Sequence, residues 1–338
     1  MSDALTVGAS GPAPRFARLA VLGLGLLGGS VALAARARGV AAHAVGMARR
    51  AAPLEAALAA GVVDEAGGPA DLPRLLRGAD LVVLGTPVAA MARVLEEAAP
   101  HLAPGAIVTD VGSVKAQPVA TLPALLPAGV HFVGSHPMAG SHRVGVEHAR
   151  ADLFEGRTVV VTPVASTDAG AAAKVEALWR ALGARVVRRT PDAHDAEVAW
   201  TSHLPHVTAY AYALALGAAP RGAGELAATG FADFTRIAHS NPELWADILA
   251  TNGKSLAGPI QRVADALGEL ARAVESGDAE ALERLLAAAR ETLAEVAHAA
   301  PPQRLVPLRE EARSGGPNPE IQAAPTSGRP PEESDPHS

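Results

Sequence analysis

The chain has 338 residues, of which 49% are hydrophobic but only 3% aromatic, with a formal net charge of −6 and no cysteine. That length allows two domains and a substantial core, filled mainly by Ala, Leu and Val. The acidic balance gives no electrostatic case for nucleic acid or an anionic membrane, and the missing cysteine excludes disulfides, thiolate metal sites and Cys nucleophiles.

Residues 1–16 are small and contain Pro and Gly, and are expected to form a loose leader. Arg15 and Arg18 precede an uncharged stretch, Leu19 to Ala35, that imitates a secretory signal, but its glycines argue otherwise. No other segment approaches the length of a membrane span, so a soluble, cytoplasmic protein is expected. From residue 18 onward, apolar runs at 18–23, 42–47, 80–87, 106–113, 131–137, 157–163 and 184–190 alternate with helical stretches. Near-continuous Val, Leu and Ile runs suit strands buried on both faces. Their alternation with helices predicts an α/β fold with a doubly wound, mostly parallel sheet over 17–190. Residues 191–298 show only Ala-, Leu-, Glu- and Arg-rich helical periodicity, with helices starting near 192, 223, 242 and 278, so an all-helical domain of four to six helices should follow. The Pro-, Glu-, Gly- and Ser-rich tail, 299–338, is expected to be disordered.

The first run leads into Gly23-Leu24-Gly25-Leu26-Leu27-Gly28, with a helix expected from Leu26 to about Arg38. This is G-x-G-x-x-G between a strand and a helix, the setting in which it binds a dinucleotide. Gly23 permits the turn, Gly25 lets backbone approach a pyrophosphate, and Gly28 allows close packing of helix on strand. Leu26 and Leu27 open the helix whose N-terminus faces the anion. At the end of the second strand, where an acid would bind a ribose hydroxyl, the chain reads Gly46-Met47-Ala48-Arg49-Arg50, with no acid before Glu55. Arg49 and Arg50 favour the 2′-phosphate of NADP, with NAD as the alternative; as ordinary residues they would simply be solvated at a helix start.

Three later strand ends carry distinctive residues. Gly85-Thr86-Pro87 is expected to pass along the cofactor or to be a plain strand-to-helix cap. Asp110-Val111-Gly112-Ser113-Val114-Lys115 should put a hydroxyl and an ammonium at the crevice, unless Ser113 only caps the next helix. In Gly134-Ser135-His136-Pro137-Met138-Ala139-Gly140-Ser141-His142, Pro137 restricts His136 to extended backbone at a strand tip, which makes it the best general-base candidate; His142 has no such restraint. Further on, His194, His203 and His206 are expected on one long helix that Pro205 kinks, with His203 and His206 on one face. No carboxylate pattern there supports a metal. Arg236, within Gly230-Phe231-Ala232-Asp233-Phe234-Thr235-Arg236, needs Asp233, Asp247 or a substrate carboxylate as partner if it is buried.

The ordered set GLGLLGGS, DVGSVK, GSHPMAGS, SHLPH and FADFTRIAHSNPELWADI resembles the prephenate dehydrogenase family, with its arogenate and cyclohexadienyl relatives, over about 18–298. The resemblance implies a Rossmann-type domain, a helical domain forming a homodimer interface, and NAD(P)-dependent oxidative decarboxylation of prephenate, or of arogenate, in tyrosine biosynthesis. By the same resemblance His136 is the catalytic histidine on the ring hydroxyl, Ser113 holds that region, and Arg236 binds a substrate carboxylate. His206, Ser141 and Trp245 fall at further pocket positions, and His203 is expected to be structural. No regulatory domain and no chorismate mutase segment is expected. Two rivals remain: a β-hydroxyacid-type dehydrogenase, which would use Lys254 as its acid/base, and a catalytically silent dinucleotide sensor.

Overall fold

The structure is a computed structural model that describes residues 16–140 and 143–299. The expected leader up to residue 15, Ser141, His142 and residues 300–338 lie outside the described residues. Six strands, β1 (Phe16–Leu22), β2 (Ala41–Met47), β3 (Glu65–Gly67), β4 (Leu81–Leu84), β5 (Ile107–Asp110) and β6 (His131–Val133), form a parallel sheet in the order β3-β2-β1-β4-β5-β6. Between them run α1 (Leu26–Ala37), α2 (Ala51–Ala59), α3 (Leu72–Leu75), α4 (Val88–Ala98) and α5 (Ala116–Thr121). This is the doubly wound Rossmann arrangement, with its switch point between β1 and β4.

Alternate residues of the central strands feed opposite faces. Leu19, Val21, Leu81 and Val83 join the cluster under α1, whereas Ala20, Leu22, Val82 and Leu84 join the cluster under α4. Both sets are essentially inaccessible, which is why these strands read as unbroken apolar runs. Register then decides where function can sit. Met47, Leu22, Leu84 and Asp110 stand side by side as strand ends, so the loops that follow them open along one crevice.

The run at 131–137 does not form one strand. It breaks at Gly134, where β6 ends and β7 (Ser135–Pro137) begins a second sheet with β8 (Thr158–Val161) and β9 (Arg185–Arg188). β7 lies antiparallel to β8, and α6 (Ala169–Ala181) links β8 to the parallel β9. A Cβ at Gly134 would meet Thr162 Oγ1 at 2.6 Å and Val119 at 2.8 Å, so only glycine fits the crossing. Ser135 fixes the new direction: its N–H donates to Asp110 Oδ1 (3.0 Å), its hydroxyl to the Asp110 carbonyl (2.6 Å), and Trp179 Nε1 donates to its Oγ (3.1 Å). The runs at 157–163 and 184–190 therefore belong to this second sheet and not to the first. The short β3 escaped the sequence reading because Glu65-Ala66-Gly67 has no apolar pattern.

The helical half comprises α7 (Pro191–Val198), α8 (Leu204–Ala215), α9 (Thr229–Thr235), α10 (Pro242–Thr251), α11 (Gly253–Ser276) and α12 (Ala279–Ala299). Between α7 and α8 lies one π-turn, Ala199–His203, which accommodates the missing N–H of Pro205 in the manner of a π-bulge. The helix expected near 223 starts at Thr229, after a 3₁₀ turn, and α11 follows α10 directly.

The glycine turn supplies a first test. A Cβ on Gly28 would stand 2.2 Å from the Gly23 carbonyl oxygen, while one on Gly25 would touch nothing within 4 Å. Gly28→Ala should lower the urea-unfolding free energy by about 1–3 kcal/mol, and Gly25→Ala should change it by less than about 0.5 kcal/mol.

Candidate active site

The glycine turn lies against the end of β4. Gly23 adopts φ +116°, and its N–H donates to the Met47 carbonyl at 2.9 Å. A Cβ there would sit 2.6–2.8 Å from the backbone of Gly85 and Thr86. Gly25 is the N-cap of α1 without a side-chain cap, Leu26 and Leu27 open the first turn half-buried, and that turn holds no acid. Its backbone N–H groups remain available to an anion. Thr86 Oγ1 is buried without a partner, and Pro87 is the N-cap of α4. Arg49 and Arg50 are exposed beyond β2 and form no ion pair among the described residues; Arg50 is the N-cap of α2. An open cradle at Gly25 and an unpartnered hydroxyl at Thr86 fit a dinucleotide.

Beyond β5 the loop to α5 is pinned at both ends. Gly112 N–H donates to Asp110 Oδ2 at 2.8 Å, and Lys115 and Ala116 N–H donate to the two carboxylate oxygens of Asp195 on α7 at 2.7 and 2.9 Å. Ser113 stands half-buried between these anchors. It is not the cap of α5: Lys115 occupies that position, and Asp195 does the capping. The Lys115 ammonium is not at the crevice either. It is fully buried against the Asp110 carboxylate, and burial lowers its pKa against the pull of that partner.

His136, on β7, is buried with its Nδ1 2.8 Å from His194 Nε2, and His194 Nδ1 lies 2.7 Å from Asp195 Oδ1. A carboxylate only accepts, so His194 donates from Nδ1, and in its neutral form it accepts at Nε2. With His194 neutral, His136 then donates from Nδ1 and its Nε2 carries the lone pair, with no hydrogen-bond partner among the described residues. Burial, followed by His194 and the Lys115 ammonium, holds the His136 pKa well below the usual histidine value, so the ring is neutral at pH 7. The arrangement is a buried, tautomer-fixed proton acceptor at the end of the sheet.

The helical side contributes two more rings. His203 is buried, and its Nδ1 accepts from Asn252 Nδ2 at 3.0 Å, which leaves Nε2 buried and unpartnered. Asn252 also donates to the Asp195 carbonyl at 2.9 Å. Burial brings the His203 pKa down to about 4. His206, half-buried, donates Nδ1–H to the Ser202 carbonyl at 2.9 Å and stacks on Trp245 at 3.5 Å. Burial lowers its pKa, and the Arg236 guanidinium works in the same direction. Trp245 gives much of its ring to the core cluster under α4. Arg236 is exposed and forms no ion pair with Asp233 or Asp247 among the described residues; Asp247 instead accepts from Ala89 N–H at the start of α4 (3.2 Å). Lys254 is exposed at the start of α11. Among the described residues no group of three or more His, Asp or Glu side chains is arranged to hold a metal ion.

Residues 31–188 match the family described as "Prephenate dehydrogenase, nucleotide-binding domain", and residues 190–288 match "Prephenate dehydrogenase, dimerization domain". The chain belongs to the prephenate dehydrogenase family. It is 33% identical to the prephenate dehydrogenase of Bacillus subtilis, over 80% of this chain and 73% of that one. The fold is similar to prephenate dehydrogenase from A. aeolicus, crystallised with hydroxyphenyl propionate and NAD+ (TM-score 0.76, 30% identity, 83% of this chain and 98% of that one). It is likewise similar to arogenate dehydrogenase from Synechocystis (TM-score 0.68, 34% identity, 84% and 100%). Membership makes this chain an NAD(P)-dependent oxidoreductase acting on a small molecule of the prephenate and arogenate class. The sequence reading missed Asp195 and the pairing of His194 with His136. The signal was present in His194-Asp195 on a predicted helix, but nothing in the sequence said which strand that helix faces.

The buried rings also set a pH response. His203 titrates near 6.5 when unfolded and at about 4 when folded. Its contribution to stability is therefore complete above pH 6.5 and is lost as pH falls towards 4, on the order of 3 kcal/mol. Urea titrations at stepped pH should show this decline, and His203→Gln should flatten it.

Proposed function

We propose that the chain catalyses the oxidative decarboxylation of prephenate to 4-hydroxyphenylpyruvate, with NADP preferred over NAD. The observation that carries the reading is the buried His136–His194–Asp195 chain at the sheet's end, which leaves the His136 Nε2 without a hydrogen-bond partner among the described residues. In this reading His136 takes the proton of the ring hydroxyl, and Ser113 holds the same region from the pinned loop. Arg236 offers its exposed guanidinium to a substrate carboxylate, a role that suits an arginine with no ion-pair partner among the described residues. His206 and Trp245 form the adjoining wall, and Ser141 stays assigned to the pocket although it lies outside the described residues. The bound nicotinamide supplies the hydride acceptor, and loss of CO2 with aromatisation drives the reaction. Orientation and a proton acceptor are then the protein's main tasks.

Gly23, Gly25, Leu26, Leu27, Gly28, Thr86 and Pro87 would hold the dinucleotide. Two exposed arginines after β2, with no acid in the first turn of α2, support a 2′-phosphate. Arogenate, which carries an amino group where prephenate has its side-chain keto group, is the alternative substrate. Residues 17–190 then serve the nucleotide and 191–298 the substrate and a homodimer. Leu214 (82% exposed), Leu286 (60%) and Leu293 (69%) on α8 and α12 leave apolar surface that a second copy would cover. No helix among the described residues is long and apolar enough to cross a membrane, in keeping with the cytoplasmic location we assign.

The test is steady-state turnover of prephenate and of arogenate, each with NAD and NADP. Prephenate with NADP should give the highest kcat/KM, and no reduced cofactor in any combination overturns the reading. His136→Asn should lower kcat by about 10²–10⁴-fold with unchanged cofactor binding. Arg49→Ala with Arg50→Ala should raise KM for NADP and leave that for NAD alone. Turnover that survives His136→Asn but not Lys254→Ala would favour the β-hydroxyacid-type mechanism.

A further inference from the structure

A proton taken by His136 cannot rest there cheaply. The ring is buried, the Lys115 ammonium lies near it, paired to Asp110, and His203 faces it from the turn before α8. Behind it stands a better host. His194 meets His136 edge-on, with ring centroids 5.1 Å apart and planes at 72°, and its far nitrogen is hydrogen-bonded to a carboxylate. That carboxylate cannot swing away, because Lys115 and Ala116 N–H hold both its oxygens and Asn252 holds its backbone carbonyl.

We propose that Asp195 and His194 are positioning residues that form a proton relay, and that the charge generated in the reaction comes to rest on His194, not on His136. The proposal builds on the reading of His136 as proton acceptor. As hydride leaves the hydroxyl-bearing carbon for the nicotinamide, the substrate O–H bond breaks and its proton bonds to His136 Nε2. The Nδ1–H bond of His136 breaks in turn, and that proton bonds to His194 Nε2. His136 ends neutral with its other tautomer occupied, and His194 becomes an imidazolium that keeps its Nδ1–H on Asp195. When the ring C–CO2 bond breaks and its electron pair enters the ring, the oxygen becomes a phenolate. It takes the proton back from His136 Nε2 as the His194 proton returns to His136 Nδ1. This gives the hydroxyl of the product, restores the starting tautomers and leaves no net proton. Asp195 thus has two duties: it caps the helix that follows the Ser113 loop, and it neutralises the relay's end.

The alternative is that Asp195 only caps α5, and two variants separate the cases. His194→Gln removes the relay and leaves the cap. Asp195→Asn keeps an oxygen for the cap but removes the charge. Each should lower kcat by about 10²–10⁴-fold with KM and cofactor Kd within about threefold of wild type, and with thermal midpoints near wild type for His194→Gln. The acid limb of the kcat/KM profile should move to lower pH in Asp195→Asn, because the protonated unit has lost its counter-charge. A readout independent of turnover is ¹⁵N-histidine NMR of the full chain without cofactor, with signals assigned from the His136→Asn and His194→Gln variants. The wild type should show His136 protonated at Nδ1 alone, and on acidification the first imidazolium signal of the pair should come from His194. A first imidazolium at His136, or both variants turning over within threefold of wild type with an unshifted profile, overturns the relay. If His136→Asn is inactive while those two variants behave as wild type, only the relay falls. If His136→Asn itself turns over normally, the underlying assignment falls as well.

Discussion

Asp195 belongs to α7, yet its two oxygens accept hydrogen bonds from the backbone at the start of α5 and from the imidazole of His194. An ionised side chain accepting charge-assisted bonds from a helix N-terminus is a strong and directional contact. Here it ties the first helix of the helical half to a loop of the nucleotide-binding half. Because Asn252 at the α10–α11 junction holds the Asp195 carbonyl and also reaches His203, three helices of the helical half are registered against the sheet through one residue. Move Asp195, and the loop of Ser113, the tautomer of His136 and the seat of His203 all lose their reference.

A second carboxylate does the equivalent work inside the sheet half. Asp110, the last residue of β5, accepts from Gly112, Ser135 and the Lys115 ammonium, all out of water. A buried ion pair is a poor source of stability, since desolvation offsets most of the attraction. Its value is geometric: it sets the path of the chain after β5 and the point where β7 leaves the first sheet. The same ammonium acts on His136 and helps to keep that ring neutral.

Much of this was legible in the sequence. Buried parallel strands read as apolar runs because both faces are covered, so β1, β2, β4 and β5 were found within a few residues. The glycine turn was legible because Gly23 and Gly28 sit where a side chain would strike backbone. Other features were not readable because they depend on contacts between distant segments. The run at 131–137 looks like one strand, and only Ser135 bonding to Asp110 and Trp179 divides it between two sheets. Arg236 reads as needing Asp233, Asp247 or a substrate carboxylate if it is buried; it is exposed, and Asp247 is engaged elsewhere by Ala89. Lys115 reads as a crevice cation until its pairing with Asp110 is seen.

The resulting electrostatics suit the proposed function, in which one crevice serves both an anion and a proton. The interior rings of His136 and His203 are neutral at pH 7, because burial opposes their charged forms. The buried Lys115 ammonium is paired to Asp110, whereas Arg236 and the Arg49–Arg50 pair are exposed, where water meets the cost of carrying their charge. A cationic interior would attract the carboxylates more strongly but would leave no lone pair for the hydroxyl proton. On the function proposed above, neutral rings inside and unpaired cations at the surface would let proton transfer and affinity be set by different residues.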